Sequence, residues 1–416
     1  MTLARHAAIV IGAGVAGLST ALYLQRAGIA VAVIDPLPPA GGASFGNAGL
    51  LSPDTAVPIA LPGMLRKVPG WLTDPLGPLS VRPGYFPRAL PWLLRWIKSG
   101  RLQRVLEISD AMRALHRESL SCWQELLGPA LYRDLIRPAG QVQVWEGDAE
   151  TASGVVERQV RERHGILAEE LTADDLRQMF PGIAREVTRG LLLPGNGYTV
   201  SPQRSVQMLA DLFRQEGGVL INERAMKLIP SEAGGWMVMT NIANRSADHV
   251  VIAAGAWSRY LLDPLGIKVA LETERGYHAM LFSPEVSLAL PISNKTRAFG
   301  VTPMEDGLRV AGTVEISGLD APPNEQRAKI LVQHARRMFP ALTGEQVRYW
   351  MGFRPSTPDS LPILGAAPGR PGLHLVFGHG HFGMTGGPPS GRLVASIVLG
   401  NAPPIDPKPY SASRFS

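Results

Sequence analysis

The chain has 416 residues, of which 45% are hydrophobic and 18% charged, with a net charge of +6. That length exceeds one hydrophobic core and implies two domains, the balance is that of a soluble globular protein, and the lack of an internal period or low-complexity tract leaves a solenoid unsupported. A single cysteine, Cys122, excludes an intramolecular disulfide and a cysteine metal centre, and points to a reducing, cytoplasmic compartment.

Residues 7–35 read as strand, glycine turn, helix, strand. AAIVI suits a strand buried in a parallel sheet, Ala16–Ala27 has helical propensity, Gly28 stops it, and AVAVID is the second strand. The uncharged run from Ala7 to Leu24 imitates a signal peptide or a membrane helix. Glycines interrupt it, however, and it continues through Gln25 and Arg26 into the second strand, which a signal sequence would not need.

From Pro36 to Arg104 the chain is rich in Pro, Gly and Trp, with few regular signals. Between Val57 and Arg104 lie eight basic residues, Arg66, Lys67, Arg82, Arg88, Arg95, Lys98, Arg101 and Arg104, against Asp74 alone. The positive charge of the chain is therefore local. Together with Trp71, Trp92 and Trp96 it suits either a peripheral surface facing anionic lipid or a proline-rich loop with solvated arginines. No nucleic-acid-binding motif accompanies it.

Two helices are expected around 104–127 and 151–164, with a half-buried strand at 140–147. SPQRSVQMLADLFRQEGG (201–218) reads as a helix capped by Ser201, with Pro202 at its first position. Strands follow at VLINER, WMVMT and HVVIAAGAW, then at 270–282. RAFGVTP and LRVAGTVEI form a hairpin around an acidic Gly turn. Residues 323–343 read as helical. The last segment combines loops with one strand, LHLVF, and one helix, SGRLVASIVLG. Parallel-type strands at both ends with antiparallel-type strands between them fit a nucleotide-binding domain interrupted by a sheet domain.

Gly12-Ala13-Gly14-Val15-Ala16-Gly17 follows a strand and opens a helix. Gly12 allows the tight turn, Gly14 lets backbone approach a pyrophosphate, and Gly17 lets helix pack on strand. Phosphates then meet the positive end of the helix. Asp35, followed by Pro36, ends the second strand where a carboxylate accepts from ribose hydroxyls. These residues promise a dinucleotide without separating NAD from FAD.

Five segments then carry a resemblance: the turn just described with GGASFGNAGLLSP (41–53), VVIAAGAWS (250–258), ETERGYH (272–278), WMGFRPSTPDSLPILG (350–365) and GHGHFGMTGGPPSGRL (378–393). In them the chain resembles the FAD-dependent D-amino-acid-oxidase superfamily, and within it the bacterial D-amino-acid dehydrogenase small subunits and hydroxy-D-proline dehydrogenases. The resemblance implies an α/β fold. Its Rossmann-like FAD-binding domain would span 1–74 (with the basic segment from 57), 197–271 and 345–416, interleaved with an α+β substrate domain over 75–196 and 272–344 built on an antiparallel sheet.

It further implies FAD contacts at Ser44, Asn47, Ala48, Gly49 and Leu50, at Met226, at Ala254 and Gly255, and at Gly380, Phe382, Gly383, Met384 and Thr385. No His lies in the 41–49 loop and Cys122 is remote from these motifs, so the FAD is expected to be non-covalent. Arg354 falls where such enzymes clamp the substrate carboxylate, a task for a bidentate guanidinium; the plainer alternative is a structural ion pair. Tyr277, His278 and His381 are candidates for holding the substrate or its amine, and loop histidines are otherwise merely solvated. No metal site is expected.

The implied activity is oxidation of a D-amino or D-imino acid by hydride transfer from Cα to flavin N5, with electrons passed to a quinone, a dye or another non-oxygen acceptor. The alternatives are an oxygen-using oxidase of glycine or sarcosine type, or a flavoprotein subunit that needs a partner chain. Attachment at the inner face of the cytoplasmic membrane through 57–104, and self-association into a homo-oligomer, are both left open.

Overall fold

A computed structural model describes residues 5–64, 68–74, 76–147, 151–232, 234–343 and 346–415; Arg66 and Lys67 of the basic window lie outside the described residues. In chain order the elements begin with β1 (Arg5–Ile11), α1 (Val15–Arg26), β2 (Val31–Ile34), β3 (Leu50–Leu51), α2 (Val68–Thr73) and β4 (Leu79–Val81). Next come α3 (Phe86–Ser99), α4 (Leu102–His116), α5 (Ser119–Leu135), β5 (Ile136–Arg137), β6 (Gln141–Glu146), α6 (Ala152–Arg163), β7 (Glu169–Leu171), α7 (Ala173–Met179) and β8 (Val187–Leu193). They are followed by β9 (Gly197–Thr199), α8 (Pro202–Gln215), β10 (Val219–Ile221), β11 (Ala225–Pro230), β12 (Trp236–Thr240), β13 (Asn244–Ile252) and α9 (Ser258–Leu262). The chain closes with β14 (Glu272–Phe282), β15 (Ile292–Asn294), β16 (Phe299–Met304), β17 (Gly307–Ile316), α10 (Glu325–Met338), β18 (Val347–Ser356), β19 (Ile363–Ala366), β20 (Leu373–Phe377) and α11 (Gly383–Val398).

Two large sheets and a small one, β3-β9-β5, organise these elements. The first runs β10-β2-β1-β13, parallel throughout; β20 continues it in parallel beside the last residues of β13, and β12-β11 continue it antiparallel beside the first. Its central strands are buried on both faces, which is why they read as unbroken apolar runs. One face packs on α1, α8 and α11, with α4 and α5 behind them. The second sheet, β18-β14-β17-β16-β15-β6-β8-β7, is mostly antiparallel and carries α10 on one face. The expected architecture of a Rossmann-like layer with an interleaved antiparallel sheet domain is what forms.

Four local features differ from the sequence reading. Residues 86–99, read as irregular, form α3; Pro87 sits in its first turn, where a missing N–H costs nothing, and only Pro91 interrupts its ladder. The helix expected around 104–127 is two helices, α4 and α5, and they pack on α1 and α11 of the first sheet's layer. β18, expected in the third FAD-binding segment, is instead the edge strand of the second sheet. Finally, α11 begins at Gly383, seven residues before the stretch read as helical, and runs through Pro388 and Pro389. Pro388 has no N–H to offer the carbonyl four residues back, at Met384, and the indole of Trp123 donates to that oxygen instead at 2.9 Å.

Candidate active site

The site is built from backbone outward at the carboxyl ends of β1 and β13. Gly12 has φ +119°, and a Cβ there would lie 2.3 Å from the Ala253 carbonyl oxygen, so the turn closes against the end of β13 only with glycine. A Cβ at Gly17 would lie 2.0 Å from the Gly12 oxygen. The helix that follows has Gly14 at its N-cap and no side-chain cap, which leaves its first amides for an anion. Only Ser44 reaches in, its hydroxyl accepting from the Val15 N–H at 3.1 Å. Asp35 accepts from the Ala13 N–H at 2.7 Å and the Leu37 N–H at 2.8 Å. Burial pushes its carboxyl up, opposed by those two amides.

The loop at 41–49 is fixed from three directions. Asn47 Oδ1 accepts from the Gly49 N–H at 2.8 Å, Arg309 donates to the Asn47 carbonyl at 2.7 Å, and His278 Nδ1 meets the Gly46 carbonyl at 3.0 Å. Thr385 joins this loop to the start of α11, accepting from the Ser52 N–H at 3.1 Å and donating to the Leu50 carbonyl at 3.3 Å. Of the expected contacts, Ser44 reaches the Gly12–Gly17 turn directly, Phe382 and Met384 pack in the same core as Ala13 and Val15, and Ala254 meets Gly12 just past β13, with Gly255 next in the chain. Asn47, Ala48, Gly49 and Leu50 continue the Ser44 loop, and Gly380, Gly383 and Thr385 lie in or just before the first turn of α11. Pro36 lies exposed just past Asp35. Met226 sits at the bulge of β11 on the edge of the first sheet, with its side chain exposed.

The adjoining face of the second sheet supplies the polar groups. β14 and β18 pair with Glu274 opposite Arg354. A Cβ at Gly276 would lie 2.1 Å from Arg354 Cζ, so the guanidinium lies directly over that glycine. Arg354 donates from Nη1 to the Thr313 carbonyl at 2.9 Å, with a long contact of 3.5 Å from Nη2 to the Gly312 carbonyl. It forms no ion pair among the described residues. Burial pushes the guanidinium down, opposed by the charge of Glu274.

Glu274 is the residue the sequence reading missed. Its carboxylate is buried and bonded to His381 Nε2 at 2.8 Å. Burial acts to raise this carboxyl, but the hydrogen bond and charge of His381 and the charge of Arg354 prevail and hold it below the usual range. Nothing in ETERGYH marks Glu274 over Glu272; only the fold puts one of them opposite Arg354. Arg309 was missed too, and burial pushes its guanidinium down to about 10.

The three other polar candidates separate. His381 lines a pocket with Glu274, Ser356 and Phe382, roofed by Ile59 and Trp96 from the segment read as a basic loop. His278 is stacked on Trp350 with ring centroids 5.1 Å apart, and burial pushes its imidazole down to about 3. It supports the 41–49 loop as a neutral ring. Tyr277 corrects the expectation: successive side chains of a strand point to opposite faces, and its hydroxyl donates to Glu315 and accepts from the Asn324 N–H at the start of α10. It belongs to the core beneath α10 and does not reach the pocket.

An uncapped helix end, backbone-lined loops and a carboxylate at the strand end fit the adenine-dinucleotide half of FAD, and the glycine-rich loops at 41–49 and 380–385 leave the flat ring system room that side chains would fill. The FAD-dependent oxidoreductase model named DAO matches residues 7–397. The chain belongs to the DAO family. This DAO-family flavoprotein is 38% identical over 418 residues to a D-amino-acid oxidase of Bradyrhizobium diazoefficiens, covering 99% of each chain. It is 30% identical to a D-amino acid dehydrogenase of Vibrio vulnificus, over 94% of this chain and 96% of that one. Among solved structures, its fold is similar to glycine oxidase from Geobacillus kaustophilus (TM-score 0.75, 22% identity, 99% of each chain) and to L-proline dehydrogenase from P. horikoshii (TM-score 0.76, 17% identity, 100% and 98%).

Proposed function

We propose that this enzyme oxidises a D-amino acid, or a D-imino acid of proline type, to the corresponding imine, with electrons leaving to a quinone or another non-oxygen acceptor. The carrying observation is Arg354, a buried guanidinium that backbone carbonyls hold from one side and that pairs with no carboxylate among the described residues. A substrate carboxylate completes its fork, and the adjacent Glu274–His381 couple offers the opposite polarity to an amino group. The names of the curated relatives, D-amino-acid oxidase and D-amino acid dehydrogenase, support the same substrate class.

FAD, when bound, supplies the two-electron oxidant that accepts the Cα hydride. It is held without a covalent link in this reading: Cys122 is buried among the helices behind α1, and burial pushes its thiol up to about 11.

The outer surface of α3 supports a membrane-borne acceptor. Phe86, Leu90 and Leu94, one turn apart along the helix, are 45%, 39% and 51% exposed, and the exposed Arg88, Arg95 and Lys98 lie beside them. An apolar stripe flanked by cations suits an anionic bilayer surface. The name of the 38% relative favours the rival reading, an oxidase using oxygen.

Anaerobic mixing of the yellow enzyme with D- and L-amino acids, D-proline, glycine and sarcosine tests the substrate. Bleaching by D-amino or D-imino acids is expected; return of colour on adding a quinone, and only slowly on adding oxygen, identifies the dehydrogenase. Arg354→Ala is expected to lower kcat/KM by about 2–5 kcal/mol in transition-state terms, chiefly through KM. Kinetics like wild type would remove Arg354 from the site.

A further inference from the structure

Among the described residues His381 makes no hydrogen bond from Nδ1, the side of the ring away from Glu274, and this defines a role. Glu274 accepts at Nε2 of His381, so an ionised Glu274 fixes the tautomer with the proton on Nε2 and leaves Nδ1 as the ring's open acceptor. The ring is not fully covered; 29% of its side chain remains accessible, into a pocket that Ile59 and Trp96 roof. Ser356, in the same pocket and only 4% exposed, places its hydroxyl beside Glu274 and helps hold that carboxyl ionised. The cation on β18, Arg354, stands directly opposite Glu274 in the β14–β18 pairing. A positive and a negative centre one strand apart match the head group of a zwitterion: carboxylate to Arg354, ammonium to the couple.

We propose that Glu274 and His381 act as a carboxylate–imidazole dyad that takes the proton from the ammonium group of the bound amino acid. An N–H bond of the ammonium breaks, a bond from that proton to His381 Nδ1 forms, and the electron pair stays on the substrate nitrogen, free to form the C=N bond as the Cα hydride departs to the flavin. Glu274 touches neither substrate nor flavin and is a positioning residue. It holds the tautomer and stabilises the imidazolium that forms, while Trp96 and Ile59 keep water off the couple. The charged and titratable groups facing the couple are Glu272, two residues before Glu274 on the same face of β14, Arg354 from β18 and His379 from the turn before α11. His379 is a neutral acceptor or donor to Ser390 at 2.9 Å, with burial pushing it down to about 3. Ile59 and Trp96 carry no charge.

This inference rests on the amino-acid reading above, and the experiment separates the two. The rate of anaerobic flavin bleaching by the best amino acid is measured across pH for wild type, Glu274→Gln and His381→Gln, alongside the affinity for propionate, a carboxylate without an amine, read from the flavin absorbance. Both variants are expected to bleach roughly a hundredfold more slowly at neutral pH. They should recover toward wild type at alkaline pH, where the free amine predominates in solution, and bind propionate as wild type does. Glu274→Asp should restore part of the neutral-pH rate. A deficit of equal size at every pH, or wild-type rates at neutral pH, would overturn the dyad. If the variants lose propionate affinity as Arg354→Ala should, the couple shapes the carboxylate site and the proton role is likewise overturned. Failure of every amino acid to bleach wild type would overturn the underlying reading, and the dyad with it.

Discussion

At residue 276 a single hydrogen atom on Cα decides where a guanidinium lies. Gly276 has no left-handed φ, but β14 shifts register there against β17, and a methyl group would lie 2.1 Å from Arg354 Cζ. Gly276→Ala should therefore displace Arg354 while leaving the dinucleotide turn intact. The expected outcome is normal FAD content with kcat/KM for amino acids reduced about as far as in Arg354→Ala, measured by flavin absorbance per protein and steady-state kinetics. Unchanged kinetics would mean that the guanidinium has another place to sit. The motif around Gly276 was legible, but its consequence was not. Every residue of β14 from Glu272 to Leu281 is buried, so hydrophobicity does not alternate along it to show which face meets the pocket. The sequence therefore points to Tyr277 and not to Glu274, although one step along the strand separates the faces.

At the scale of elements, the site depends on how closely α11 approaches α1. A Cβ on Gly387 would come within 3.0 Å of Val15, and one on Gly391 within 2.7 Å of the Thr20 backbone nitrogen. Backbone cannot yield as a side-chain tip can. Gly391→Ala should push the helices apart at a cost of about 1–3 kcal/mol. The measurements are a lower thermal midpoint of the apoprotein and faster FAD loss on dilution; an unchanged midpoint would show that the two helices slide without penalty. The glycines of 378–391 were legible as a cofactor loop, whereas the helix through them was not, because Pro388 and Pro389 argue against one. What permits it is Trp123, distant in sequence, whose indole serves the carbonyl that Pro388 leaves without a donor. α3 was hidden for the same kind of reason: its prolines and tryptophans read as loop until Ala89, Trp92 and Ser99 found a surface to bury against, with the Trp92 indole donating to the Ser356 carbonyl at 3.1 Å.

At the scale of the whole molecule, α3 has one face on the site and the other on solvent. Among the described residues no helix is long and apolar enough to cross a membrane, so attachment by this route would be superficial and charge-dependent. Each Lys or Arg at an anionic surface contributes about 1 kcal/mol. The protein should float with phosphatidylglycerol-containing vesicles at low salt and not with phosphatidylcholine alone. Leu90→Gln with Leu94→Gln, or Arg95→Glu with Lys98→Glu, should each release it. Equal behaviour on both lipids, or a stripe covered instead by a second copy of the chain in sedimentation, would overturn the membrane reading.

The interleaving of the two sheets also orders events in time. The dinucleotide turn and its carboxylate lie near the amino terminus, yet the loop they face is pinned by Thr385, and the helix that packs on α1 begins at Gly383. A nascent chain thus exposes half a cradle until the residues of α11, more than 300 positions further on, have been made. A complete flavin cradle therefore forms only once residues 383–391 have folded back onto residues 12–52.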